Sequence, residues 1–249
     1  MKRWEKILSI ILILIAAAFI IDIGRYFFYP NVAYLKRHNP GNTAFMEYRE
    51  ETWRQKKVKR KIIRTWVPIS QISPYVVKAV IIAEDHKFWS HEGFDFEAMQ
   101  KAMEKNIQQN KMKVGGSTIS QQLAKNLYLS PDKDPIRKIK EAILTWRIEN
   151  QLSKRRILEL YLNVAEWGDG VFGIEAAAHN HYGKSAAQLN ARQAAMLAVL
   201  LPNPRRYKLN GASRYVENQA ERIYQIMVRQ GIVIQEYDDV MREKNGYMP

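Results

Sequence analysis

Glu84 and Asp85 stand side by side at the end of a mostly apolar run, VVKAVIIA. His86, Phe88-Trp89, His91 and Gly93 follow at once in AEDHKFWSHEGFD (83–95). Val76, Val80 and Glu84 recur at i,i+4, so on a helix Glu84 continues an apolar stripe. A carboxyl there is partly desolvated, and its pKa rises toward the range useful for proton transfer. The competing reading is a helix-end carboxylate paired with one of the many basic side chains.

A second group lies in GGSTISQQLAKN (115–126). Gly115-Gly116 permits close backbone approach. Ser117 or Thr118 can cap a helix whose N-terminal N–H groups favour an anion. Ser117, Gln121 and Lys125 share one polar face, against the plainer reading of a well-capped amphipathic helix. A third group is IRKIKEAIL (136–144), where Arg137 and Glu141 are i,i+4 neighbours flanked by Lys138 and Lys140. By itself this reads as a surface ion pair worth a few tenths of a kcal/mol. SPDK (130–133) has no Lys-Thr-Gly partner, and YGKS (182–185) lacks the earlier glycine of a phosphate loop. His86 and His91 have no established metal spacing.

These groups need elements to hold them. Ser73-Pro74 marks a helix start, and another helix begins near Asp95. Helical patterns continue from 118, over 136–152, 155–163, 173–180 and 190–201, and over 213–230, the last read as packing. GDGVFG (168–173) is a glycine-rich loop, and PNP (202–204) stops a helix. The one strand-like stretch, VKRKIIRTWV (58–67), suggests a short strand pair. The soluble part is therefore mainly α.

Residues 7–21 carry no charge, and the apolar character resumes in YFFY (26–29). Ala16–Ala18 would suit signal cleavage, but the apolar run continues past it, so an uncleaved anchor is expected. Lys2, Arg3 and Lys6 place the N-terminus inside. The segment 54–64 holds seven Lys or Arg. It is either a solvated charge run or a patch against lipid headgroups or phosphates. The 249-residue chain has net charge +14 and no cysteine. Disulfides and thiolate metal sites are excluded, and an anionic partner is expected. No recognition motif points to nucleic acid.

AEDHKFWSHEGFD, GGSTISQQLAKNLYL, RKIKEA, ILELYLNVAEWGDGVFGIEAAA and AAMLAVLLPNP, in this order over about 69–204, resemble the peptidoglycan glycosyltransferases. That family supplies the polymerase domain of bifunctional penicillin-binding proteins; with one anchor and no transpeptidase domain, the chain is similar to its monofunctional biosynthetic transglycosylases. The resemblance implies a lysozyme-like fold with a small membrane-associated jaw near 96–135. It divides the chain into an anchor (1–29), a basic connector opening the catalytic domain (30–68) and the glycosyltransferase domain (69–249).

The implied reaction transfers the growing lipid-linked glycan to the 4-hydroxyl of lipid II, forming a β-1,4 bond with inversion and releasing undecaprenyl diphosphate. Glu84 and Glu141 match the catalytic pair, Glu84 as base and Glu141 as organiser of cations or ligand of a divalent metal such as Mg²⁺. Lys125, Lys133, Arg137, Lys138 and Lys140 would face the diphosphate. Gly116, Ser117, Thr118, Gln121, Gln122 and Asn126 would hold the sugar-diphosphate region, and Asp85, Phe88 and His91 the pocket of the base. Lys133 stands where the family often has arginine. KMKVGG (111–116) would flank the polymer channel, and the apolar surface near 96–112 would meet lipid. No organic cofactor is implied. The implied location is the cell inner membrane, with the catalytic domain periplasmic and cell-wall synthesis or division proteins as partners. The rival of the same fold is a lysozyme or lytic transglycosylase, which would not need the cations of RKIKEA.

Overall fold

The computed structural model describes residues 3–109, 115–131, 134–209 and 211–233. Lys133 and residues 111–114 of KMKVGG lie outside them. The helix α1 (Arg3–Gly24) leads, with exposed Ile7, Leu12, Leu14 and Ile20 all round it. Its 22 residues span about 33 Å at 1.5 Å each, enough for a hydrocarbon core of about 30 Å. Short 3-10 turns at Arg25–Phe27 and Val32–Lys36 follow. Val32 and Leu35 are fully covered in the main core, so the chain after the anchor enters the catalytic body at once.

α2 (Ala44–Gln55) is capped by the Thr43 side chain, which accepts from the Met46 N–H at 3.3 Å. α3 (Pro74–Glu84) starts where Ser73-Pro74 predicts, but Ser73 does not cap it. Its hydroxyl donates to the Leu189 carbonyl at 2.8 Å. Then come α4 (Phe96–Gln108), α5 (Ile119–Tyr128), α6 (Pro135–Gln151) and α7 (Lys154–Val164). α8 (Ile174–Tyr182), α9 (Ala191–Ala198) and α10 (Arg214–Arg229) complete a mainly α body. α3, α9 and α10 pack together, as do α5, α6 and α7. Val76, Val80, Leu123, Ile148, Leu197 and Met227 are fully covered where these meet. α10 thus contributes to the core, as its sequence suggests.

The strand expected near 58–67 exists as β1 (Ile63–Arg64), but not as a local pair. It runs parallel to β3 (Val171–Phe172), which pairs antiparallel with β2 (Glu166–Gly168). Gly170 turns β2 into β3 at φ +85°, and a Cβ there would sit 2.7 Å from the Trp53 ring. The basic run is partly consumed by this corner. Arg60 pairs with Asp169, and Arg64 donates to the Gly41 carbonyl at 2.6 Å and to that of Pro40 at 2.7 Å.

The same corner holds a buried ion pair. Arg49 of α2 donates from Nη2 to Glu166 Oε2 at 2.7 Å, with Nε 3.1 Å from both carboxylate oxygens. Removing one partner strands the other charge. Arg49→Met should therefore cost about 3–5 kcal/mol, and Arg49→Met with Glu166→Gln should recover part of it. Chemical denaturation of the three proteins in one detergent checks this.

Candidate active site

The last turn of α3 delivers Glu84 against the polar face of α5. Glu84 Oε2 accepts from Gln122 Nε2 at 2.6 Å, and Gln122 Oε1 accepts from the Tyr161 hydroxyl of α7 at 2.9 Å. Only this orientation of the Gln122 amide serves both neighbours. Glu84 Oε1 is fully covered and has no hydrogen-bond partner among the described residues. Burial pushes the Glu84 carboxyl above its ordinary pKa. Asp85 adds to the shift, while the Gln122 bond and the Lys125 charge oppose it. Burial also holds the Tyr161 phenol far above its usual range, so it stays a donor.

Asp85 points the other way and fastens the loop. It accepts from His91 Nε2 at 2.9 Å and from the Ile119 N–H of α5 at 2.9 Å. His91 Nδ1 accepts from the Gly93 N–H at 3.0 Å, which leaves the proton on Nε2 facing Asp85. Phe88 is fully covered and meets the His91 ring edge-on at 6.2 Å. These three residues therefore shape the surroundings of Glu84 from beneath rather than lining a cleft.

In the Gly-Gly helix the reading divides. Thr118 and Gln121 form a reciprocal capping box, and the Thr118 hydroxyl donates to the Gly93 carbonyl at 2.7 Å. Both are buried, and the bonds they make here hold the start of α5. Gly116 lets backbone approach closely, but the backbone is that of α4. A Cβ there would lie 2.9 Å from Met99 Cα. Gln122, Lys125 and Asn126 do face open space. With Phe45, Arg49, Tyr161, Asn203, Arg205 and Arg206 they line a cleft of about 560 Å³.

α6 supplies the cations. Arg137 Nη1 donates to Glu141 Oε2 at 2.6 Å, Lys138 Nζ bonds Glu141 Oε1, and Lys138 also reaches Ser117 Oγ at 3.2 Å. The ion pair expected between Arg137 and Glu141 is present, but Glu141 is buried. Lys125 lies between this group and Glu84. Burial lowers its pKa, and the charges of Glu141 and Glu84 pull it back up. Lys140 does not join them. It turns toward the anchor, pairs with Asp22 Oδ2 at 2.5 Å and lies over the Tyr26 ring. On the helix Glu141 falls between Arg137 and Lys138, at i,i+4 and i,i+3, while Lys140 lies on the far flank of Arg137.

The residues present do not fit a protein-held divalent cation. Both Glu141 oxygens are occupied by cations, and the described residues hold no group of three His, Asp or Glu able to bind a metal.

Sequence reasoning passed over Tyr161, Arg49 and Glu166. Tyr161 sits in a leucine-rich helix and reads as core; the signal for Tyr161 and Glu166 is only their place in ILELYLNVAEWGDGVFGIEAAA, and Arg49 lies outside every quoted motif.

Residues 51–228 match the family model described as Transglycosylase. The chain is similar to the biosynthetic peptidoglycan transglycosylase of Nitrosospira multiformis, 48% identical over 222 residues, 89% of this chain and 94% of that one. It is 48% identical to that of Azoarcus sp. over 210 residues, 84% of this chain and 90% of that one. The Dechloromonas aromatica protein of the same name is 54% identical over 176 residues, 71% of this chain and 76% of that one.

Proposed function

The chain belongs to the transglycosylase family, and from that premise we propose that Glu84 is the general base of its glycan-strand polymerisation. The chain is a peptidoglycan glycosyltransferase with a lysozyme-like α fold and a single-pass anchor, acting on lipid II and the growing glycan. The basic N-terminal flank favours a cytoplasmic N-terminus, which puts the catalytic body in the periplasm of an inner membrane.

The Glu84 carboxylate takes the proton from the 4-hydroxyl of lipid II. That oxygen attacks the anomeric carbon of the donor from the face opposite the diphosphate. The new carbon–oxygen bond forms as the bond to the diphosphate breaks, and the electron pair leaves with the phosphate oxygen. The α linkage thereby becomes β. A diphosphate leaves without protonation, so no second carboxylic acid is required, unlike in a glycosidase. It needs fixed positive charge where negative charge develops. Lys125, Arg137 and Lys138 provide it, and Glu141 holds the last two in place. Gln122 and Asn126 line the cleft beside Lys125, and Ser117 meets Lys138.

The observation that carries this reading is one covered, unpartnered carboxylate oxygen beside Lys125 and a cation pair. A lytic enzyme would not need that pair. The purified chain in bilayers with labelled lipid II should give a ladder of long glycan and leave preformed cell wall intact. Wall clearing without polymer would reverse the assignment.

A further inference from the structure

We infer that Arg147 and Asp22 are positioning residues that bolt the membrane anchor to the phosphate-binding helix and so set the height of the active site above the bilayer. This rests on the function proposed above.

The anchor does not end in a slack tether. Arg147 of α6 donates from Nη1 to the Tyr26 carbonyl at 2.9 Å and from Nη2 to the Phe28 carbonyl at 3.0 Å. Those carbonyls belong to the turn that follows α1, where chain groups lack intrahelical partners. Asp22, in the last turn of α1, pairs with Lys140 one helical stretch earlier on α6. Trp146, half-exposed between them, meets Phe27 edge-on at 6.4 Å. Water at a membrane surface could satisfy two carbonyls without a buried guanidinium. A guanidinium that grips both, with an ion pair two turns away, fixes an angle and a distance.

The helix so gripped is the one that carries Arg137, Lys138 and Glu141. Arg137 lies ten residues from Arg147, about 15 Å along the axis. Lipid II holds its diphosphate at headgroup level because its tail is in the bilayer. A cation group rigidly offset from the anchor exit meets that diphosphate at one height, and a loose one samples many. Misplacement by about 1 Å can cost on the order of a hundredfold in rate.

The test compares the full chain with Arg147→Gln and with Asp22→Ala on two substrates. One is long-chain lipid II in proteoliposomes; the other is a short-chain, water-soluble analogue. Both variants should lose about tenfold on the bilayer substrate, mostly in KM, and stay within about twofold on the soluble one. Equal losses on both substrates, or none on either, would overturn the inference. Asp22 is half-exposed and outside the core, so Asp22→Ala decides if Arg147→Gln does not fold. Since the chain has no cysteine, a single cysteine at Ile139 can carry a depth-sensitive fluorophore. Its membrane depth should broaden in both variants. Wild type inactive on both substrates would count against the proposed function, whereas wild type active with unshifted variants counts only against the bolt.

Discussion

Glu84→Gln should lower polymerisation of lipid II by about 10²–10⁴-fold, the usual contribution of a positioned base, without loosening the fold. The substitution keeps the shape of the side chain and the acceptor for Gln122. It removes a charge that burial disfavours. The linkage sign is definite. The folded-state pKa is raised, so above the unfolded pKa the folded protein holds an ionised carboxyl at a cost, which protonation or amide substitution relieves. The variant's Tm at neutral pH should therefore equal or exceed wild type. An inactive variant with a raised Tm is the mark of a site that trades stability for chemistry. An active one removes Glu84 from the mechanism.

The second large effect is expected at Lys125. Lys125→Met keeps the stem and deletes the ammonium between Glu84 and the α6 cations. Loss of one preformed charge at a developing anion costs about 10²–10³-fold in kcat. Two features separate this from simple disruption. The variant should bind lipid II within a few-fold of wild type, and the pKa of Glu84 in the folded protein should be raised further, since Lys125 now lowers it. Arg in place of Lys125 keeps the charge but brings a planar fork to a half-buried spot shaped for a point charge, so partial activity is expected.

The sequence made the apolar helices legible because the period of 3.6 and the core demand the same residues. α3 shows this. Val76 and Val80 are covered, and Glu84 follows them, partly buried with its Oε1 covered. α2 was not legible. Its segment AFMEYREETWRQ mixes apolar and charged residues with no clear stripe and buries only Met46, Arg49 and Trp53. One of those is an arginine whose burial depends on Glu166, 117 residues away. The three-stranded sheet was hidden for the same reason, because strands of two or three residues leave no periodic trace.

At the site, residue types alone identified the charged groups but not their directions. Thr118 and Gln121 match the Ser/Thr-x-x-Gln pattern of a capping box, and that pattern accounts for both side chains. Lys140 shows the limit of a motif read as a string. Four basic or acidic residues within five positions look like one cluster, yet the helix sends Lys140 to the anchor while Arg137 and Lys138 close on Glu141.

The pH dependence of kcat/KM for lipid II tests the central claim most directly, because base and cation are both shifted, in opposite directions. Glu84 must be ionised and Lys125 protonated. Burial raises the first pKa and lowers the second. The profile should be a bell narrower than an ordinary Glu–Lys pair would give, and Lys125→Met should remove its alkaline limb and move the acid limb to higher pH. A rate that climbs as pH falls, the signature of a catalytic acid, would contradict the account.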